Sequence, residues 1–108
     1  MLNGQLALVT GASRGIGQAI ALELGKAGAI VVGTATTADG AGRIGAYLTE
    51  AGIKGKGAAL EVRDQAQVDA LIAEIEKEFG VAVTILVNNA GITRDNLSMR
   101  MKDEEWDA

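Results

Sequence analysis

Short runs of apolar residues alternate along this chain with stretches in which apolar positions recur every three or four residues. The first run, Leu6 to Thr10, ends in a glycine and leads into a helical stripe of Ile16, Ile20, Leu24 and Ala27, closed at Gly28. A second run, Ile30 to Thr34, precedes a weaker stripe of Ala41, Ile44 and Leu48 that stops at Gly52. Gly40, Gly42 and Gly45 lie inside that stripe, and each glycine costs a helix up to about 1 kcal/mol relative to alanine. The third run, Ala58 to Val62, is followed by the most regular stripe, with Val68, Leu71, Ile72, Ile75 and Phe79 on one face. Asp64 and Gln67 stand in capping-box relation at its start, and Gly80 follows its end. The fourth run, Thr84 to Val87, continues into Asn88.

Strands beginning near residues 6, 30, 58 and 84 leave room for one helix between each pair, as a crossover between parallel strands requires. Their near-continuous apolar character predicts an α/β fold, a doubly wound parallel sheet covered by helices on both faces, in the order 3-2-1-4. The units share a pattern and no sequence motif, which excludes a solenoid. With no proline and no low-complexity tract, nothing marks an internal boundary, so residues 1–108 read as part of one domain. Asp103 to Ala108 reads as the start of a further helix.

Composition adds mainly exclusions. Apolar residues make up 48% and charged ones 22%, enough material for a core, and the only aromatics are Tyr47, Phe79 and Trp106, so Ala, Val, Leu and Ile must build it. The absence of Cys and His removes disulfides, thiolate metal sites, cysteine nucleophiles and imidazole bases. A net charge of −4 without a basic stripe argues against nucleic acid as a partner. Met1 to Thr10 lack the basic start of a signal peptide, and no apolar run approaches the roughly 18 residues that span a membrane. A soluble, cytoplasmic protein is the default expectation.

The candidate chemistry lies in two loops. Thr10-Gly11-Ala12-Ser13-Arg14-Gly15-Ile16-Gly17 follows the first strand, and the first helix opens inside it. Glycines there allow a tight turn and bring backbone N–H groups close to a pyrophosphate, whose charge a helix N-terminus favours. The spacing G-x-x-x-G-x-G departs from the G-x-G-x-x-G fingerprint, so context must carry the reading. The second loop, Asn88-Asn89-Ala90-Gly91, ends the fourth strand. In the order 3-2-1-4 it neighbours the first loop at the switch point where ligands bind in such sheets.

Together these segments resemble the short-chain dehydrogenase/reductase family, whose members carry TGxxxGxG and NNAG at these two places. The resemblance spans the chain. It implies a Rossmann-type fold and a nicotinamide cofactor. It also implies that Gly11, Ala12, Ser13, Arg14, Gly15, Ile16 and Gly17 approach the phosphates and ribose. Asn89, Ala90 and Gly91 would contact the cofactor from the other side, and Asn88 would hold the end of the fourth strand. The stretch Asn88 to Trp106 is closest to members that reduce a β-keto thioester carried on acyl carrier protein, and these imply a homotetramer.

At the end of the second strand no acidic residue lies nearer than Asp39, where an NAD site usually places a carboxylate against the ribose hydroxyls. Arg14 can meet a phosphate and Thr36 can donate to it, which predicts NADP(H) over NAD(H). Glu61 and Val62 end the third run, where the family more often has Asp or Asn before an apolar residue to meet the adenine; Glu61 departs by one methylene. Ser98, expected in a loop, is apolar in similar reductases. The family's catalytic Ser and Tyr-x-x-x-Lys have no match, because the only tyrosine is Tyr47 and position 51 is Ala51. Tyr47 therefore reads as the edge of a helix packing face. The expectation is the cofactor-binding, N-terminal half of a longer reductase, with no catalytic residue of its own. The far edge of its fourth strand would be unpaired, leaving it poorly stable and inactive alone. A reductase of another carbonyl, such as a coenzyme A thioester, and a non-catalytic nucleotide-binding module are the competing readings.

Overall fold

A computed structural model describes residues 1–89 and 98–101. Along the chain come β1 (Leu6–Val9), α1 (Gly15–Lys26), β2 (Ile30–Ala35), α2 (Ala38–Glu50), β3 (Gly55–Ala59), α3 (Gln65–Phe79), β4 (Val83–Asn88) and β5 (Ser98–Met101). They build one sheet in the order β3-β2-β1-β4-β5. The first four strands are parallel, in the expected order 3-2-1-4, and β5 runs antiparallel to β4.

Because side chains alternate across a strand, β1 feeds two cores at once. Ala7 and Val9 join Val31, Ala21 of α1 and Ile44 and Leu48 of α2 on one face. Leu6 and Leu8 join Val32 and, from α3, Leu71 and Ile75 on the other. All four residues of β1 are fully buried, and each large aliphatic side chain so placed contributes about 1.5–3 kcal/mol. This two-sided burial explains why β1 and β2 read as unbroken apolar runs. α3 starts on Asp64, whose carboxylate accepts from the N–H groups of Ala66 and Gln67, and ends on Gly80 in the left-handed conformation. The amide oxygen of Gln67 accepts from the N–H of Glu61, so the capping box is only half formed.

Three expectations need correction. β3 occupies Gly55–Ala59 rather than Ala58 to Val62. Its small residues let α2 lie directly on it: a Cβ at Gly57 would overlap the carbonyl oxygen of Ala41. Leu60, the apolar signal there, follows the strand and is buried against the α3 face, its N–H still bonded to the carbonyl of Ala35 at 2.8 Å. The far edge of β4 is paired, with Ile85 opposite Met101 and Asn88 opposite Ser98, and Ser98 therefore lies in a strand and not in a loop. The helix expected from Asp103 lies outside the described residues. Among those described, no helix is long and apolar enough to cross a membrane.

Candidate dinucleotide-binding site

β1 and β4 are neighbours, and the chain leaves both at the same rim of the sheet. The N–H of Thr10 extends their ladder to the carbonyl of Val87 at 3.0 Å. Beyond it the two loops bond each other directly. The N–H of Asn89 donates to the Thr10 hydroxyl at 2.9 Å, and Nδ2 of Asn89 donates to the Gly11 carbonyl at 3.0 Å. The Thr10 hydroxyl proton is shared between the Val87 carbonyl and Oδ1 of Asn88, each 3.4 Å away. Asn88 is exposed at the end of β4, and the bonds that join the two loops come chiefly from Asn89.

Glycine geometry opens the groove between these loops. Gly11 and Gly15 have φ values of 62° and 65°, in the left-handed region that disfavours side chains. Gly17 is buried, and a Cβ there would overlap the Gly11 carbonyl and lie 2.6 Å from Nδ2 of Asn89. Ala12 is buried beneath the loop, its N–H bonded to the Thr34 carbonyl at 2.8 Å. Arg14 occupies the N-cap position of α1 with an extended backbone, and no side chain caps the helix. The first N–H groups of α1 thus have no intrahelical acceptor and carry the positive end of the helix dipole. Arg14, Gly15 and Ile16 are exposed around them and Ser13 is half-exposed, Ile16 presenting 58% of its surface. An uncapped, positively polarised helix start suits a pyrophosphate, and the exposed guanidinium of Arg14 beside it can meet a further phosphate; among the described residues no carboxylate pairs with Arg14.

The ends of β2 and β3 flank this groove. Thr37 caps α2 through its hydroxyl, which accepts from the N–H of Gly40 at 3.0 Å, whereas the exposed Thr36 has no such duty. Val62 lines a cavity of about 210 Å³ together with Leu8, Thr10, Gln65, Ile72 and Asn88. Glu61 turns to Arg63 instead, its Oε1 accepting from the backbone N–H and Nε of Arg63 at 3.1 and 3.2 Å. Those hydrogen bonds hold its carboxyl below the usual range. Ala90 and Gly91 lie outside the described residues.

Tyr47 is the residue whose place the pattern did not reveal. Its ring packs at the margin of the α1–α2 core as expected, but its hydroxyl donates to the Ala12 carbonyl at 2.6 Å, across 35 positions of sequence. Burial pushes this phenol up to about 12. Only the half-polar character of Tyr on an apolar stripe signalled such a partner.

A parallel sheet of order 3-2-1-4 whose first loop meets an Asn-Asn bend over one groove defines a class, and the chain belongs to it: residues 5–108 match the short chain dehydrogenase family. Among curated proteins the chain is 58% identical over 105 residues to the 3-oxoacyl-[acyl-carrier-protein] reductase of Haemophilus influenzae, covering 97% of this chain and 42% of that protein. It is 60% identical over 103 residues to the protein of the same name from Escherichia coli, covering 95% and 41%. With the Pseudomonas aeruginosa protein of that name it shares 57% over 105 residues, covering 97% and 42%. The chain spans about two-fifths of the length of these relatives.

Proposed function

We propose that this chain is the cofactor-holding part of a single reductase domain. The whole protein reduces the C3 carbonyl of a 3-oxoacyl group on acyl carrier protein with NADPH, in fatty acid biosynthesis. The observation that supports the reading best is the direct bonding of Asn89 to Gly11, which brings the glycine loop and the asparagine bend together at one groove. The substrate class follows from the relatives, which are 3-oxoacyl-[acyl-carrier-protein] reductases.

NADPH supplies the hydride when bound; this chain's own residues hold and orient it. The N–H groups from Ser13 to Gly17 meet the pyrophosphate, and Ile16 offers an apolar surface beside it. Arg14 and Thr36 meet the 2′-phosphate, with no carboxylate at the end of β2 to repel it. Val62 and Asn88 line the cavity that would receive the base, and by the family likeness Asn89, Ala90 and Gly91 would contact the cofactor from the other side. Glu61 reaches the base only by loosening its bonds to Arg63. The catalytic groups, a cytoplasmic location and a homotetramer belong to the same proposal for the whole protein.

Titrating the protein with NADPH and with NADH tests it. NADPH should bind more tightly, and Arg14→Gln should weaken NADPH about 10- to 100-fold, the worth of a hydrogen bond to a charged group, while leaving NADH nearly unchanged. Equal affinity for the two nucleotides would overturn the cofactor assignment.

A further inference from the structure

Two consecutive peptide units of the phosphate loop are anchored differently. In a trans peptide the C=O and the N–H point in opposite directions, and no cis peptide bond occurs among the described residues. The Gly11–Ala12 unit is held at both ends, its carbonyl by Nδ2 of Asn89 and its N–H by the Thr34 carbonyl. In the Ala12–Ser13 unit only the carbonyl is held, by the Tyr47 hydroxyl at 2.6 Å. Its N–H, on Ser13, has no acceptor among the described residues and points away from that hydroxyl.

We propose that Tyr47 is a positioning residue for the cofactor: by fixing the Ala12 carbonyl, its hydroxyl keeps the Ser13 N–H aimed as a donor to the dinucleotide phosphates. This rests on the nicotinamide reading above. Packing alone does not account for the hydroxyl's direction. Tyr47 also lines an open cavity of about 350 Å³ with Ser13, Gln18, Arg43 and Glu50, so its hydroxyl had polar and aqueous alternatives to the loop. Its raised pKa keeps it a donor throughout the neutral and mildly alkaline range. The device also ties the loop to α2, the helix that starts just past Thr36.

Tyr47→Phe keeps the ring and removes only the donor. Dissociation constants of NADPH and NADH should both rise about 5- to 10-fold, since the pyrophosphate is common to both and a neutral hydrogen bond is worth about 1 kcal/mol. In the whole protein, the NADPH-to-NADH preference and kcat at saturating cofactor should stay within about twofold, a split that general loosening of the fold would not give. In the unaltered protein, labelled at backbone nitrogen, NADPH should shift the Ser13 amide resonance and protect that amide from hydrogen exchange. Affinities of Tyr47→Phe within twofold of the parent, or a Ser13 amide indifferent to NADPH, would overturn the proposal while leaving the cofactor assignment intact. Failure of the parent to bind either nucleotide would overturn that assignment, and this proposal with it.

Discussion

A methyl group at position 17 would occupy the space through which Asn89 reaches the Gly11 carbonyl. The obstacles are a backbone oxygen and a hydrogen-bonded amide, neither of which can swing away without opening the groove. Gly17→Ala should therefore destabilise the protein by about 1–3 kcal/mol, as overpacking does, and should also weaken nucleotide binding because the two loops separate. Urea denaturation and NADPH titration of the same variant check both; a tolerated alanine with full affinity would show that the loops meet differently. The need for glycine here was visible in the sequence, because the spacing of Gly11, Gly15 and Gly17 ahead of a helical stripe is itself the signal. The partner of Tyr47 was not visible. Nothing local to a helical tyrosine says which carbonyl, 35 residues away, its hydroxyl will find.

Three glycines in one helix would be expected to weaken it equally, yet α2 uses them for different ends. A Cβ at Gly40 would stand 2.6 Å from Cβ of Ala35, so this glycine lets the helix start close to the sheet, whereas Gly42 and Gly45 face open space. Gly42→Ala and Gly45→Ala should each stabilise the protein by roughly 0.5–1 kcal/mol through lower backbone entropy, without change in nucleotide affinity. Denaturation midpoints at constant slope are the measurement, and a loss of stability in either variant would mean that the position packs against something. The same distinction between small residues that pack and small residues that do not governs which elements were legible. β1, β2 and β4 sit within the sheet and read as apolar runs. β3 is an edge strand of Gly-Lys-Gly-Ala-Ala, whose signal is close approach to α2, and hydrophobic pattern cannot register that. The apolar residues after it belong to the turn toward α3. β5 escaped for a related reason: an antiparallel edge strand of Ser-Met-Arg-Met has neither a continuous apolar run nor a crossover helix to announce it.

Over the whole molecule, two of the polar ties among the described residues, each joining a different pair of elements, respond to alkaline pH. Lys56 on β3 bridges Glu78 and Glu74 of α3 at 2.8 and 3.3 Å, and the hydrogen bond to Glu78 is the main cause of its raised pKa. Tyr47 on α2 holds the glycine loop after β1 through the Ala12 carbonyl, its pKa raised from 10.0 to about 12 by burial. In both cases the folded protein binds the proton more tightly than the unfolded chain. Their stabilisation is therefore fully present below the unfolded pKa values and is lost as pH rises through the folded ones. Stability should hold steady from neutrality to about pH 9 and fall above pH 10. The lysine pair is largely exposed, so screening keeps its share small, and the tyrosine should dominate the fall. Arg43 and Glu50 of α2 also line the tyrosine's cavity, and burial is the cause of the raised phenol pKa. Tyr47→Phe should start less stable at neutral pH and lose less between pH 9 and 12, so that the two curves converge at high pH. Urea midpoints measured across that range decide the point, and parallel curves would show that the Tyr47 hydroxyl does not carry the alkaline transition.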